Sequence, residues 1–288
     1  MQLRNTQIPT DTEFRMLDVV ILNRNLGKVC DLLVGKILEL GIENSSIVVV
    51  DSGSDMDKVS RYTTIRIDDE DVLNKGLRTS RGFNLGISEV QQRNSPAEWI
   101  LCLPVDCEIV FADLDSMFAK IVDLPRVVAI KPLQSHDQYL QLMDQENFRI
   151  AWYVEEGPLF LRKDYVRSLG RNYGQDYFFD AENFRGYCST LEISMQAYAN
   201  GFAFAVTDLV QINENQSYLL ESSDLVKTEP ADAHLRLMVN EGERWLKSKY
   251  GLTDSWAFAN IVRLLYTEFL KTYPEYQGYA IDWISDET

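Results

Sequence analysis

The stretch WILCLPVDCEIV, Trp99 to Val110, decides which fold the chain is expected to have. Its five leading apolar residues are typical of a strand buried on both faces of a largely parallel sheet. Proline has no N–H to offer a neighbouring strand, so this strand is predicted to end at Pro104. Asp106 and Glu108 follow where ligands of open α/β sheets bind, and a carboxylate there can hold a divalent cation. Taken alone, the stretch favours two solvated loop acids, and the rest of the chain shifts that balance.

Alternating strands and helices lead up to this stretch. Apolar runs predict strands over residues 17–22, 47–50 and 62–67, and apolar residues at helical spacing predict helices over 27–40 and 81–92. The order is strand, helix, strand, and then the same again. Such an order implies a mainly parallel central sheet flanked by helices, which is an α/β fold.

Polar residues stand at the predicted carboxyl ends of these strands. They are Asn23, Asn25, Asp51, Ser52 and Asp106. Several polar groups meeting at one edge of a sheet indicate a binding site better than any one of them does.

Two arginines, Arg78 and Arg81, lie in a glycine-containing segment before the second helix. Arginines near the start of a helix can hold a phosphate group. The alternative, that both are ordinary surface arginines, fits the sequence equally well.

The second half of the chain continues the alternation of strands and helices and then ends in helices alone. Helices are predicted over 113–124, 163–169 and 189–200, and strands over 127–131, 157–162 and 203–206, while 133–152 stays unassigned. The aromatic and acidic segment 172–187 is predicted to be either a rigid loop over a site or a packing element. After a polar loop, two helices are predicted over 232–249 and 255–273. We therefore expect a catalytic domain at 1–215 and a helical extension at 216–288, whose helices either dimerise or pack on the sheet.

Composition narrows the classes of function. The 288 residues carry a net charge of −16, and the isoelectric point is about 4.6. A broad nucleic-acid surface or electrostatic docking on anionic lipid would need basic stripes, so neither is expected. The four cysteines show no zinc or redox spacing. No apolar run approaches the ~20 residues of a membrane helix, and a cytoplasmic protein is predicted.

Six motifs, in order, resemble those of a GT-A glycosyltransferase of the family-2 type, especially its rhamnosyltransferase-like bacterial branch. They are LDVVILNRN (17–25), IVVVDSGSD (47–55), NKGLRTSRGFNLGI (74–87), WILCLPVDCEI (99–109), GPLFLRKDYVRSLG (157–170) and DAHLRLMVNEGERWLKSKYG (232–251). The resemblance covers most of the chain, and the order and spacing of the motifs carry it.

The resemblance implies the GT-A fold with a C-terminal helical extension, and an inverting transfer of sugar from a nucleotide-diphosphate donor to a carbohydrate or glycolipid acceptor. It implies a divalent cation, Mg²⁺ or Mn²⁺, which would neutralise the diphosphate. The predicted donor-binding residues are Asn23, Asn25, Asp51, Ser52, Arg78 and Arg81, and the predicted metal ligand is Asp106.

The chain departs from the family pattern at three places. The usual Asp-x-Asp is Pro104-Val105-Asp106, so that one carboxylate remains. The positions of a Glu-Asp pair, whose Asp is the family's catalytic base, hold Ser189 and Thr190, and the histidine expected after the last strand is Asn213. A base from a shifted position is therefore predicted. The candidates are Glu192, Asp180 and Glu182, each of which is otherwise an ordinary loop or helix-surface acid.

Two rival functions stay open at this point. One is a catalytically degenerate binding or scaffold protein on the same fold, which the missing base and histidine favour. The other is a nucleotidyltransferase, which would want a glycine-rich, lysine-bearing loop after the first strand. The segment NRNLGK (23–28) lacks that glycine density, so this rival ranks last.

Overall fold

The computed structural model of the chain describes residues 17–70, 72, 79–135, 140, 143, 147–172, 178–181, 189–215, 231–252 and 254–281. Within this part, nine strands form one sheet in the order β3-β2-β1-β4-β8-β6-β9-β5, with β7 also paired to β9. The strands are β1 Leu17–Asn23, β2 Ile47–Ser52, β3 Thr63–Ile67, β4 Trp99–Pro104, β5 Cys107–Ala112, β6 Val127–Leu133, β7 Phe148–Ala151, β8 Leu159–Arg162 and β9 Ala203–Glu214.

Half of the sheet is parallel and half is mixed. The run β3-β2-β1-β4 is parallel throughout, as the strand–helix alternation predicts. Beyond it, β8 is antiparallel to β4 and β6, and both β5 and β7 are antiparallel to β9. The carboxyl ends of β1, β2 and β4 therefore meet at one edge, where the predicted polar residues lie.

Helices cover both faces of the sheet, and the predicted α/β class is confirmed. They are α1 Gly27–Glu39, α2 Thr79–Gln92, α3 Leu114–Ile121, α4 Lys163–Asn172, α5 Ser189–Ala199, α6 Ala231–Tyr250 and α7 Ser255–Thr272. None of these helices, in the described part of the chain, has both the length and the apolarity needed to cross a bilayer.

Helix α2 packs unusually close to the sheet because of its glycines. A Cβ atom on Gly86 would lie 2.2 Å from Val20 Cγ1, and one on Gly82 would lie 2.4 Å from Leu22 Cδ1. Only glycine leaves room for this approach. The close packing fixes the start of α2 beside the carboxyl ends of β1 and β4.

The largest difference between the predicted and the observed elements is the length of strand β9. The sequence predicts a short strand over 203–206 and a polar loop from Gln211, whereas β9 continues to Glu214. The extension pairs with β5, which the sequence analysis does not predict, and places Ile109 opposite Ile212 and Cys107 opposite Glu214. Antiparallel pairing with a distant segment supplies the hydrogen bonds that the polar residues of this strand need.

Helix α7 packs on the same core as the sheet. Its buried face includes Phe258, Val262, Tyr266 and Phe269, and the hydroxyl of Tyr266 donates to the Ile150 carbonyl at 3.3 Å. The C-terminal helices thus cover apolar surface of this chain, which is one of the two roles that the periodicity allowed.

Candidate functional site

Asn23 and Asp51 form a buried pair at the ends of β1 and β2. They are register partners, and Asn23 Nδ2 donates to Asp51 Oδ2 at 3.0 Å. The other oxygen of Asp51 accepts from the Ser54 N–H at 3.1 Å and from Arg66 Nη1 at 3.3 Å. A carboxylate offers about four lone-pair sites. Counting only donors from described residues, Asp51 therefore keeps capacity for one further donor, such as an N–H of a nucleobase or a ribose hydroxyl.

Asn25 ties the turns after these two strands together. Its N–H donates to Ser54 Oγ at 2.8 Å, and its side-chain oxygen accepts from the Asp55 N–H at 2.7 Å. Its φ of +57° lies in the left-handed region, which asparagine tolerates better than most residues. Asn25 shapes the edge of the site.

Arg24, which the sequence analysis did not single out, is fully buried next to these residues. Its Nη1 donates to the carbonyls of Ser52 and Val72, at 2.6 and 3.0 Å. Burial lowers the pKa of Arg24, and Asp51 and Asp55 oppose that shift. The predicted ligand residue Ser52 is also buried, and its hydroxyl makes no hydrogen bond within the described part of the chain.

Of the two predicted phosphate-binding arginines, the structure describes Arg81. Arg81, on the first turn of α2, pairs through two guanidinium nitrogens with the carboxylate of Asp69. Its charge is therefore partly compensated before any ligand binds. Arg78 lies outside the described residues.

Asp106 lies in a group of possible metal ligands just beyond β4. One ligand atom from each of Asp106, Cys107 and Glu214 lies within 4.8 Å of the others. Asp106 is only 3% exposed, whereas Glu108, its partner in the sequence motif, is exposed on β5. The cross-strand pair of Cys107 and Glu214 brings the end of β9 to this place.

The electrostatics of this cluster favour a bound cation. Burial raises the pKa of Asp106 and, together with the nearby Asp106 carboxylate, raises the pKa of Glu214 to about 7. The buried ammonium of Lys131 opposes the shift at Glu214 while donating to the carbonyls of Glu155 and Glu156, at 3.2 and 3.3 Å. Carboxylate oxygens suit Mg²⁺ and Mn²⁺. The residues present therefore fit a divalent cation.

Asn213, at the position where the resemblance expects a histidine, faces away from this cluster. Its amide exchanges hydrogen bonds with Ser135, donating to Oγ at 2.9 Å and accepting from the N–H at 2.8 Å. Strand side chains alternate between faces. The next residue, Glu214, is therefore the one that reaches Asp106.

Two of the three predicted base candidates, Glu192 and Asp180, lie together at Lys249. Glu192 is 2% exposed and accepts from Lys249 Nζ and from the hydroxyl of Tyr250 on α6. Lys249 also donates to Asp180 at 3.3 Å. Helix α6 thus supplies one ammonium that the two acids share, and Glu182 lies outside the described residues.

Glu156 is an acid that the sequence analysis missed. Its Oε2 accepts from the Tyr153 hydroxyl at 3.3 Å, while its Oε1 is buried and makes no hydrogen bond to a described residue. Burial raises the pKa of Glu156. A small pocket of about 20 Å³, which is room for one water-sized group, opens beside it, between α2, the β4–β8 pair and the start of α5. The only sequence signal was its place directly before the strand at Leu159, since the segment carries no motif.

No protein-family model matches the chain, and no curated protein matches it either. Among solved structures, GalNAc-T7 with UDP, GalNAc and Mn²⁺ matches 90% of this chain with a TM-score of 0.51 and 12% sequence identity. This chain spans 55% of the length of that one.

Two further solved structures are similar at lower scores. TarS of S. aureus, residues 1–349, covers 81% of this chain and 72% of its own, with a TM-score of 0.46 and 16% identity. A197 from STIV covers 69% of this chain and 85% of its own, with a TM-score of 0.43 and 9% identity. The likeness to GalNAc-T7 and the curled sheet flanked by helices show the fold. The chain has the fold of the GT-A glycosyltransferases.

Proposed function

We propose that this chain is a glycosyltransferase that moves a sugar from a nucleotide-diphosphate donor to a carbohydrate or glycolipid acceptor, with inversion at the sugar carbon. The observation that carries the proposal is the cluster of Asp106 and Glu214 beside the Asn23–Asp51 pair. The Val105 N–H donates to the Leu22 carbonyl at 3.1 Å, which ties the loop bearing Asp106 to the end of β1. A cation-binding group and a group that can bind a nucleoside thus share one sheet edge.

Each part of the donor has a complementary group at this edge. Asp51 has a free acceptor position for the nucleoside, and Asn23 holds its carboxylate in place. Asp106 and Glu214 would hold Mg²⁺ or Mn²⁺. When bound, the cation supplies positive charge that neutralises the diphosphate and stabilises it as a leaving group. The solved GalNAc-T7 structure contains UDP, GalNAc and Mn²⁺, which supports the same classes of ligand here.

The experiment that tests the proposal is a calorimetric titration of UDP, GDP and dTDP into the purified chain, with Mn²⁺ and with EDTA. We expect one nucleotide to bind only with Mn²⁺. Asp106→Asn should weaken this binding at least tenfold because the buried carboxylate is lost. Glu108→Gln is the matched control, since it removes an equal charge from an exposed neighbour. If no nucleotide binds, or if Asp106→Asn binds as wild type does, the donor site is not at this edge.

A specific observation keeps the binding-protein alternative in view. The carboxylates of Glu192 and Asp180 are both held by Lys249, and the positions of the family's Glu-Asp pair hold Ser189 and Thr190. A protein of this kind would bind a nucleotide-sugar without releasing nucleoside diphosphate. Measuring that release with the nucleotide-sugar that binds separates the two functions.

A further inference from the structure

The pocket lies next to the metal cluster, that is, the possible metal ligands Asp106, Cys107 and Glu214. It has apolar walls and a few polar groups. Its apolar walls come from Phe83 on α2, Cys102 on β4, Leu159 on β8 and Phe179. Ten residues line it in total: Thr79, Ser80, Phe83, Cys102, Glu156, Gly157, Leu159, Phe179, Ser189 and Thr190. Apolar walls with a small number of convergent polar groups are typical of ligand pockets.

Three side-chain oxygens that line this pocket accept or donate no hydrogen bond among the residues that the structure describes. They are Ser80 Oγ, Glu156 Oε1 and Thr190 Oγ1, all buried and none hydrogen-bonded within the described part of the chain. Ser80 and Thr190 are 2% and 4% exposed. Thr190 lies close enough to Glu156 and Tyr153 to lower the pKa of both, yet its hydroxyl forms no hydrogen bond of normal geometry with either.

Unpaired buried oxygens are uncommon in folded proteins because each forfeits its hydrogen bonds to water. Three of them around one pocket indicate a ligand that can both donate and accept. A sugar hydroxyl does so, since it can donate to the Glu156 carboxylate while accepting from the hydroxyl of Ser80 or Thr190.

Glu156 is the only acid among the described residues that line the pocket. The other described acids near the start of α5, Glu192 and Asp180, both accept hydrogen bonds from Lys249 and do not line the pocket. Oε1 of Glu156 thus remains as a carboxylate oxygen able to accept a proton from a bound ligand.

The pocket borders the metal cluster through Gly157. A Cβ atom on Gly157 would lie 2.8 Å from each carboxylate oxygen of Glu214. Gly157 has a φ of +136°, which a residue with a side chain rarely adopts. A ligand hydroxyl in the pocket would therefore lie next to the place where a donor diphosphate meets the cation.

We propose that the pocket binds the acceptor hydroxyl of a sugar and that Glu156 is the general base of the transfer. The proposal rests on the glycosyltransferase function proposed above, and it adds the group that accepts the proton. The hydroxyls of Ser80 and Thr190 orient the acceptor. Glu156 thereby supplies, from the strand β8 side of the pocket, the carboxylate that the start of α5 lacks.

In the transfer step, Glu156 takes up the proton and the nucleoside diphosphate takes up the electron pair. The acceptor O–H gives its proton to Glu156 Oε1, and the acceptor oxygen forms a bond to the anomeric carbon of the donor sugar. The bond between that carbon and the diphosphate oxygen breaks, and its electron pair leaves with the nucleoside diphosphate. Attack opposite the leaving group inverts the anomeric centre. Burial raises the pKa of Glu156, which makes its ionised carboxylate a stronger base than an exposed one.

The test measures nucleoside diphosphate release and donor binding in parallel. The probes are UDP-glucose, UDP-N-acetylgalactosamine, GDP-mannose and dTDP-rhamnose, each with Mn²⁺, with water or a panel of simple sugars as acceptor. We expect Glu156→Gln to slow release by about 10²–10⁴-fold while the donor still raises the melting temperature as in wild type. Glu155→Gln, which removes the same charge from an exposed neighbour, should keep release within about twofold of wild type.

A second variant guards against a merely structural effect. Thr190 lies beside Glu156 in the same pocket. Adding Thr190→Asp to the Glu156→Gln variant therefore returns a carboxylate to the pocket. We expect this double variant to release nucleoside diphosphate at least tenfold faster than Glu156→Gln alone.

Four results would overturn the assignment, and they differ in what else they reject. Full release by Glu156→Gln, or loss of donor binding in that variant, rejects the base and leaves the glycosyltransferase function standing. Wild-type protein that binds a donor but releases no nucleoside diphosphate rejects the base and favours the binding protein. Wild-type protein that binds none of the four donors rejects the proposed function and the base together.

Discussion

The carboxylate of Glu214 lies where the metal cluster meets the pocket. Its oxygens face Gly157, and one of them lies within 4.8 Å of ligand atoms of Asp106 and Cys107. Burial and the neighbouring Asp106 raise its pKa to about 7, from an ordinary value of 4.5. A single residue therefore couples metal binding to pH.

This coupling predicts how the metal-free protein responds to pH. Between pH 4.5 and about 7, the folded state keeps a proton on Glu214 that the unfolded state has lost. Stability therefore falls as pH rises through this window and levels off above it. Glu214→Gln removes the effect, so in EDTA this variant should be more stable than wild type at pH 8 by about 1–3 kcal/mol.

Urea unfolding in EDTA at pH 4.5 and pH 8 checks this prediction. The advantage of Glu214→Gln should shrink at the lower pH, where wild-type Glu214 is largely protonated. Glu108→Gln, on an exposed position of β5, should show no such pH dependence. An advantage of the same size at both pH values would contradict the assigned shift.

At the level of strands and helices, a buried ion pair joins α4 to the first strand. Lys163 Nζ lies 2.7 Å from Asp18 Oδ2, and the two side chains are 4% and 2% exposed. Lys163 also donates to the Ser95 carbonyl at 3.2 Å. The pair holds the start of α4 against β1 and β4, and through them it holds the edge that carries the site.

Breaking this pair should be costly, whereas replacing it should not. Lys163→Met leaves the Asp18 carboxylate buried without a counter-charge, at an expected cost of about 3–5 kcal/mol. The double variant Asp18→Leu with Lys163→Met should recover most of that loss, because an apolar pair of similar volume packs without desolvation of charge.

Chemical denaturation of the two single variants and the double variant measures the coupling directly. The surface pair of Lys36 and Glu39, whose side chains are 51% and 70% exposed, serves as the control. Lys36→Met should change the free energy of unfolding by less than about 1 kcal/mol. Additive losses in the Asp18 and Lys163 variants would show that the pair does not act as a unit.

Across the whole molecule, the C-terminal helices and the sheet share one hydrophobic core. Phe269 of α7 lies with its ring centre 5.5 Å from that of Tyr198 on α5 and 5.2 Å from that of Tyr276. Lys249 of α6 reaches Glu192 on α5. Loss of the C-terminal packing should therefore disturb the part of the molecule that carries the pocket.

Phe269→Ala tests this dependence. Removing the buried ring should lower the free energy of unfolding by about 3–5 kcal/mol. Leu264→Ala is the matched control on the same helix, because Leu264 is 61% exposed and its loss should cost less than about 0.5 kcal/mol. The free energies of unfolding of the two variants are compared by chemical denaturation, monitored by fluorescence and by circular dichroism. Equal losses for the two variants would mean that α7 does not belong to the main core.

Local patterns predicted the elements that build the parallel half of the sheet. The apolar run at Trp99 ends at Pro104 as expected, and α1 ends one residue before Leu40, near the expected boundary. These elements follow from burial and from the chemistry of proline, which act over a few residues. The strands β5 and β7 escaped prediction because their pairing partner β9 is distant in the chain.

The sequence by itself determined the strands and helices of the parallel half and the polar residues at one sheet edge, because periodicity and strand-end chemistry are local properties. The GT-A fold was predicted from the resemblance of its motifs to those of a known family. Only the tertiary structure decided which acids meet. It placed Glu214 against Asp106 through the β5–β9 register, left Glu156 Oε1 without a hydrogen bond to any described residue, and paired Glu192 with Lys249. Those outcomes depend on contacts between segments far apart in the chain, which no local pattern records.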